Sequence, residues 1–277
     1  VPFSPDSLKI RSSLPESTRR WPQAVVEGLA MLGGFLYWGI FGLLMTLTGG
    51  LLHLILPRPL GIRVGRACIH FLFRQFVRYL ELTGLLQVNL NDLERLGKLD
   101  HPFIIAPNHA SLWDAVFILA RLPHAVCVMK KSILKNPWLG GGARLAGHIP
   151  NDAMTRMIRA ASDALIQGGQ LVLFPEGTRT EPESEWINPL KGGCALVASR
   201  SAVPVYPLFI RSNSRFLQKG WPLWKKPAFP LVIEFQLGNP IRKEAGESLQ
   251  GFTQRLQSIF EDELCTPHPL RRRTNRI

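Results

Sequence analysis

Paired cysteines are missing from this chain. Its four cysteines, Cys68, Cys127, Cys194 and Cys265, lie far apart with no C-x-x-C among them, so neither a disulfide framework nor a zinc site is indicated and a reducing compartment is the simplest reading. Charge is sparse: 19% of residues are Asp, Glu, Lys or Arg against 46% hydrophobic, too apolar a balance for intrinsic disorder. The phosphate-loop signature G-x-x-x-x-G-K-[ST] and the G-x-S-x-G turn of serine hydrolases are both absent. No internal repeat occurs, and His53, His70, His101, His124, His148 and His268 lack ligand spacing, so no metal is expected. What charge there is leans one way. Thirty-three Lys+Arg against 20 Asp+Glu give +13, which calls for an anionic partner. The arginines gather beside an apolar segment rather than among exposed aromatics, which favours a membrane surface or phosphorylated substrates over nucleic acid. At 277 residues there is room for one large α/β domain plus an appendage.

Residues 28–56 contain no Asp, Glu, Lys or Arg. Such a run predicts a membrane segment, too long and too far into the chain for an ordinary signal-peptide core. As one straight helix it would span roughly 43 Å, against a hydrocarbon core of about 30 Å. It therefore tilts, or it is a bent pair of helices with breaks or close packing at Gly33-Gly34 and Gly49-Gly50. Arg11, Arg19 and Arg20 precede it and Arg58, Arg63 and Arg66 follow, so the positive-inside rule selects no orientation. A re-entrant hairpin with both ends cytoplasmic fits at least as well as a single span. Over 61–82 the pattern becomes a basic amphipathic helix. Arg63, Arg66, His70, Arg74 and Arg78 share a sector of roughly 120°, and Ile69, Leu72, Phe73, Phe76 and Leu80 fill much of the rest. Its place after the apolar run points to lipid phosphates; the alternative is a charged face on a helix packed against the following domain.

After Thr83 short apolar strands alternate with helical stretches. Strands are predicted at 85–90, 103–106, 125–129, 170–174, 203–210 and 231–237, and helices at 112–122, 137–146, 153–167, 193–201 and 248–264. Asp152 is the expected N-cap of the third helix, and Gly168-Gly169 its stop. The pattern implies an α/β fold, a mixed, largely parallel sheet flanked by helices, with an N-terminal helical membrane-anchoring region. The organisation reads as a basic N-terminal segment 1–27, a membrane anchor and amphipathic basic helix 28–83, a catalytic domain 84–264 and a basic tail 265–277. Arg271, Arg272, Arg273 and Arg276 make the tail a flexible arm for anionic lipid.

Two constellations carry chemistry. The first, Pro107-Asn108-His109-Ala110-Ser111-Leu112-Trp113-Asp114, runs from a strand end into a helix. A loop there can fold His109 back over the first turn, where Asp114 sits. A carboxylate on one imidazole nitrogen fixes the tautomer and leaves the other free to take a proton from a hydroxyl. The competing reading makes Ser111 and Asp114 an S-x-x-D capping box and His109 an ordinary loop residue. The second, Phe174-Pro175-Glu176-Gly177-Thr178-Arg179-Thr180, leaves an apolar strand. Arg179 suits a two-pronged phosphate contact, Lys191 could add a second positive charge, and Gly177 permits close backbone approach. Glu176 either meets substrate hydroxyls or pairs with Arg179.

The pair of motifs, N-H-x-x-x-x-D and then F-P-E-G-T-R, resembles the glycerolipid acyltransferase superfamily, best known from its 1-acyl-sn-glycerol-3-phosphate acyltransferases. The resemblance covers roughly 103–207. Lys130-Lys131-Ser132-Ile133-Leu134-Lys135-Asn136-Pro137 with Gly140, Gly147 and Ile149 is similar to the family's second block, and Val203-Pro204-Val205-Tyr206-Pro207 to its fourth. The resemblance implies acyl transfer from a thioester to a lysophospholipid hydroxyl, 1-acylglycerol-3-phosphate giving phosphatidic acid, with no covalent acyl-enzyme. It makes His109 the general base and Asp114 its orienter, and places Glu176, Gly177, Thr178 and Arg179 in the acceptor-binding loop, beside which Lys191 is the second positive charge expected for the phosphate. No cofactor is implied: acyl-CoA or acyl carrier protein is the donor substrate, membrane lipids are the other partners, and the catalytic domain lies on the cytoplasmic face. One position departs. Ala153 stands where the second block commonly ends in arginine, and Arg156, one turn on, points in another direction, which leaves room for a different lysolipid.

Two other functions compete. A thioesterase would use His109 to activate water and release free fatty acid without any acceptor. A lipid-binding module without turnover would need neither His109 nor Asp114. Trp138, Trp186, Trp221 and Trp224 serve as packing, interfacial anchors or acyl-chain contacts.

Overall fold

The computed structural model describes residues 21–184, 186–222 and 225–270. Arg11, Arg19, Arg20, Trp224 and the tail arginines lie outside them. Two long helices lead, α1 (Trp21–Ile55) and α2 (Arg58–Leu82). Then come β1 (Leu86–Asn89), α3 (Asn91–Leu96), β2 (Phe103–Pro107), α4 (Asp114–Leu119), β3 (Ala125–Met129), α5 (Lys131–Leu134), α6 (Gly140–Leu145) and β4 (Ile149–Pro150). The chain continues through α7 (Met154–Ile166), β5 (Gln170–Val172), α8 (Gly193–Ser201), β6 (Val205–Ser212), β7 (Leu231–Leu237) and α9 (Leu249–Cys265). The strands form one seven-stranded sheet in the order β1-β7-β6-β2-β5-β3-β4. Every neighbouring pair is parallel except β6 with β7, so the sheet is mixed and largely parallel, as the alternation implied.

Strand alternation builds two cores. Phe103 and Ile105 of β2 face one side, with Phe76, Val77 and Leu80 of α2 and Phe117 of α4. Ile104 and Ala106 face the other, with Ala161 of α7, Val197 of α8 and Phe252, Leu256 and Phe260 of α9. Both faces are covered, which is why the strands read as continuous apolar runs. Because β2, β3, β4, β5 and β6 run in one direction, the residues that follow each of them emerge at the same edge. That edge holds the site.

Several boundaries differ from expectation for local reasons. The helix expected over 137–146 starts at Gly140, because Asn136 Oδ1 accepts from Trp138 N and Leu139 N and turns the chain first. Asp152 is not the N-cap of α7; Ala153 holds that position without a side-chain bond, while Asp152 binds Lys131 Nζ at 2.9 Å and Arg156 Nη2 at 3.0 Å. Those cations, the Lys131 hydrogen bond first, hold the Asp152 carboxyl below its ordinary range. The helix expected over 112–122 covers only Asp114–Leu119. Three short elements, α3, α5 and β4, were not anticipated at all.

The apolar segment is one unbroken helix of 35 residues, not a bent pair. Its paired glycines mark close packing instead. A Cβ on Gly49 would stand 3.0 Å from the Gly141 carbonyl carbon, and one on Gly33 would collide with the Tyr79 hydroxyl, which donates to Ala30 O at 2.7 Å. The chain reverses at Leu56-Pro57 and α2 returns along α1; the re-entrant hairpin expected within 28–56 is not formed, since that stretch lies in the single helix α1. α1 is long and apolar enough to cross a membrane, with Leu29, Leu36, Leu47 and Leu54 among its exposed side chains. On α2 the expected basic face divides. Arg63, Arg74 and Arg78 are exposed, whereas Arg66 donates to Ala146 O and His124 O and the His70 ring meets Leu119 O, both facing the domain. The packed-face alternative therefore holds for those two residues.

His148 gives a stability prediction. Buried, with Nδ1 accepting from Cys127 N at 3.2 Å, its pKa is lowered to about 3 by desolvation and the nearby Arg66 charge. An unfolded histidine titrates near 6.5, so the folded state stays neutral while the unfolded state gains a proton, and stability falls as pH drops below that value. Between pH 7 and 5 this costs about 2 kcal/mol. His148→Asn keeps an acceptor near Nδ1 but does not titrate, so its thermal unfolding should show a pH 7-to-5 loss smaller by about that amount. An equal loss in both proteins would show that His148 is not the acid-sensitive group.

Candidate active site

β2 ends at Pro107, and Asn108 fastens the chain that follows. Fully buried, it donates through Nδ2 to Trp186 O and Ile210 O and accepts from Ile210 N at 2.7 Å. His109 is next, and its backbone is held on both sides. The N–H donates to Glu176 Oε1 at 2.6 Å, and the carbonyl accepts from Thr180 N at 2.8 Å and Thr180 Oγ1 at 3.1 Å.

The imidazole is then free to be aimed. Nδ1 lies 3.0 Å from Asp114 Oδ2, and the ring stacks on Phe174 with centroids 4.0 Å apart. Asp114 opens α4, its side chain 1% exposed, while His109 keeps 18%. Because the carboxylate also accepts from Ser111 N at 2.7 Å, it faces donors, so Nδ1 carries the proton and Nε2 is the basic nitrogen. Helix α4 has Trp113 as its N-cap with no side-chain cap bond, so the capping box forms only in part: the Asp114 oxygen that accepts from Ser111 N is the one in contact with His109. Ser111 Oγ donates to Phe216 O and accepts from Trp113 N, which makes it a structural hydroxyl rather than a nucleophile. Cys127 and Cys194 are buried with thiols pushed up to about 12, out of range for nucleophilic work at neutral pH.

The second loop leaves β5 beside the first. Glu176 turns inward and is 1% exposed. Besides His109 N–H, its carboxylate accepts from Asn188 N at 2.8 Å and from Thr180 Oγ1 at 3.1 Å. Burial raises its pKa, and these hydrogen bonds oppose the rise. Its carboxylate meets His109 N–H, Asn188 N–H and the Thr180 hydroxyl rather than Arg179, and so ties the two loops together. Gly177 has φ +68°, a left-handed conformation, and a Cβ there would stand 3.1 Å from Lys191 Nζ. Lys191 is thus brought over the loop, anchored by its N–H to Pro175 O at 2.8 Å. Arg179 is half-buried and donates from Nη1 to Leu217 O at 2.8 Å. Thr178 is partly exposed beside it.

The seven residues expected at the site thus share one edge of the sheet: His109, Gly177, Thr178, Arg179 and Lys191 keep some exposure there, while Asp114 and Glu176 are buried beneath them. Phe174, Asn108, Asn188 and Thr180 had no role assigned from sequence. Asn108, Phe174 and Thr180 stood inside the quoted motifs, so position was the available signal; Asn188 offered none. Among the described residues no group of three His, Cys, Asp or Glu side chains is placed to hold a metal ion. Among the described residues the arrangement is an imidazole held against a buried carboxylate, with cations on the same edge and the Ser111 hydroxyl already engaged, a geometry suited to activating a hydroxyl or water supplied from outside.

A sequence family described as Acyltransferase matches residues 87–211. A 1-acyl-sn-glycerol-3-phosphate acyltransferase of Helicobacter pylori is 28% identical over 164 residues, 56% of this chain and 66% of that protein. The chloroplastic enzyme of that name from Brassica napus, BAT2, is 22% identical over 77% of this chain and 64% of its own length. The chain thus spans slightly less than two thirds of either relative. Among solved structures, the 1-acyl-sn-glycerophosphate acyltransferase of Thermotoga maritima aligns with a TM-score of 0.62 at 18% identity, covering 89% of this chain and 98% of that one, a likeness of fold.

Proposed function

From the match of residues 87–211 to the Acyltransferase family we propose that the protein transfers a fatty acyl group from a thioester to the hydroxyl of a lysophospholipid, 1-acylglycerol-3-phosphate first among them. The observation that carries the reading is the 3.0 Å contact between His109 Nδ1 and Asp114 Oδ2, on a loop whose only hydroxyl is already engaged. A base so oriented, with no protein nucleophile beside it, acts on the acceptor directly.

Nε2 of His109 takes the proton of the acceptor hydroxyl as its oxygen attacks the thioester carbonyl. The carbon–sulfur bond then breaks, the leaving sulfur takes the proton back from His109 Nε2 and departs as the thiol, and the ester forms without an acyl-enzyme. Asp114 stabilises the imidazolium that appears. Lys191 and the unused N–H groups of Arg179 provide positive charge for the acceptor's phosphate. The donor is acyl-CoA or acyl carrier protein, no cofactor takes part, and α1 with the exposed arginines of α2 holds the domain to the cytoplasmic face of a membrane, where the lysolipid arrives laterally.

The test is acyl transfer by purified protein against a panel of lysolipids with both donors, products identified by mass spectrometry. Consumption of donor in proportion to acylated acceptor is expected; thioester cleavage indifferent to every lysolipid would make it a thioesterase. Arg179→Ala should raise the apparent KM for a phosphate-bearing acceptor about tenfold, the loss of one charge-assisted contact. An unchanged KM would remove Arg179 from the acceptor.

One observation favours a second acceptor. Ala153 brings no charge to the exit of β4, and the neighbouring Arg156 and Lys131 each hold a contact to Asp152, so neither stands free in the place of the second-block arginine. A lysolipid with another headgroup would suit such a site, and the same panel decides between the two.

A further inference from the structure

The connection between β6 and β7 carries more of the site than its sequence announces. Leu217 has φ +60°, a strained conformation for a residue other than glycine, held only where surroundings over-determine it. Its carbonyl is the meeting point of both site loops: it accepts from Leu112 N at 3.1 Å, on the loop that carries His109, and from Arg179 Nη1 at 2.8 Å, on the other. Gln218 is 3% exposed and donates from Nε2 to Thr180 O and Glu181 O, both at 3.3 Å. Phe216 O takes the Ser111 hydroxyl at 3.1 Å. Residues 216–218 thus bridge the His109 loop to the Glu176–Arg179 loop.

The same connection is fastened to α1. Lys226 Nζ lies 2.8 Å from Glu27 Oε2 and donates to Ala24 O at 3.3 Å. Glu27 is an acid, 8% exposed, in a helix that is otherwise apolar over this stretch. Trp221 Nε1 donates to Lys225 O at 3.0 Å, which links the Lys226 end to the 216–218 end. A second route runs through aromatic rings. Trp38 of α1, Phe76 of α2, Trp113, Phe216 and Trp221 meet edge to face in succession at centroid distances of 5.3, 5.1, 5.3 and 5.9 Å. Trp113 is the residue before Asp114. A shift of α1 against the domain therefore reaches both loops.

Taking the acyl-transfer reading as its basis, we propose that residues 216–218 are the positioning element of this site and that the Glu27–Lys226 pair couples them to α1, so that the separation of His109 from Arg179 depends on where α1 is seated. Leu217, Gln218 and Lys226 are positioning residues; none needs to touch substrate. Displacement of a base by about 1 Å from an attacking hydroxyl is enough to slow transfer substantially. The coupling would make turnover sensitive to seating of the helix at a bilayer while leaving binding to the bilayer unaffected.

The experiment uses the full chain on phosphatidylcholine–phosphatidylglycerol vesicles, comparing wild type with Lys226→Met, Glu27→Gln, the reversed pair Glu27→Lys with Lys226→Glu, and Gln218→Leu. Amide hydrogen exchange of 108–114 and 176–181 is read by mass spectrometry beside kcat, acceptor KM and vesicle flotation. Each single variant at 27 or 226 should speed exchange in both loops and lower kcat about tenfold, with flotation unchanged and KM within about twofold. The reversed pair should restore both readouts, and Gln218→Leu should loosen the same loops without altering exchange in α1. Loop exchange indifferent to Lys226→Met, failure of the reversed pair to restore it, or loss of flotation in step with kcat would each overturn the coupling. Should the wild type acylate no lysolipid, the functional reading fails, while loop exchange still decides the coupling on its own.

Discussion

His109→Ala should lower acyl transfer about a thousandfold or more while the protein keeps its fold and its thermal unfolding temperature. The structure separates the two roles of this residue. What Glu176 and Thr180 hold is the backbone N–H and carbonyl, which alanine retains; what is lost is the imidazole, its Asp114 contact and its stacking on Phe174. Asp114→Asn is the companion test. An asparagine oxygen still accepts from Ser111 N–H, so a purely capping role would survive it, but the amide no longer favours the Nδ1–H tautomer of His109. A fall in kcat of about two to four orders of magnitude with unchanged unfolding assigns orientation of the base to Asp114. Activity near wild type would return it to capping alone.

The sheet was legible because both its faces are covered. Strands buried on two sides appear as short apolar runs, and those at 125–129 and 231–237 match residue for residue. α8 was equally plain. Elements of four or six residues such as α5 and α3 are too brief to show a period, and β4 exists because its two residues pair with Val128 and Met129, far away in sequence. The site divides the same way. His109 and Asp114 are five residues apart, so local geometry sufficed to join them. The bond from Glu176 to His109 N–H crosses 67 positions, and Gln218 meets Thr180 across 38. Only the parallel registry of β2 with β5, and the return of the chain after β6, put those groups together. Arg211 was missed for a related reason: a cation 1% exposed inside β6 is tolerated only because Glu263 and Gln236 receive it, and both partners lie on other elements.

Glu176 is where the loop's two readings part, and its substitutions carry the second large effect. A carboxylate contacting the acceptor would be missed mainly in KM, with stability unaffected, and glutamine would replace it in part. A carboxylate clamped under two backbone donors behaves otherwise. Glu176→Ala leaves the N–H groups of His109 and Asn188 unpaired, each at a cost of about 1–3 kcal/mol, and releases the His109 backbone as well. Glutamine is scarcely milder. Oε1 of the carboxylate faces His109 N–H and Oε2 faces Asn188 N–H, so whichever way the amide turns, its NH2 group meets a donor. Both variants should therefore lose about 2–5 kcal/mol of stability in denaturant unfolding. Whatever folds should show kcat reduced about a hundredfold with little change in acceptor KM. A glutamine variant of full stability, with a raised KM and kcat intact, would place Glu176 on the acceptor instead. The order of the two effects matters for His109 as well. If the backbone clamp fails first, the imidazole loses the fixed approach that lets Asp114 hold it, and the base is misplaced even though every atom of the His109–Asp114 pair remains.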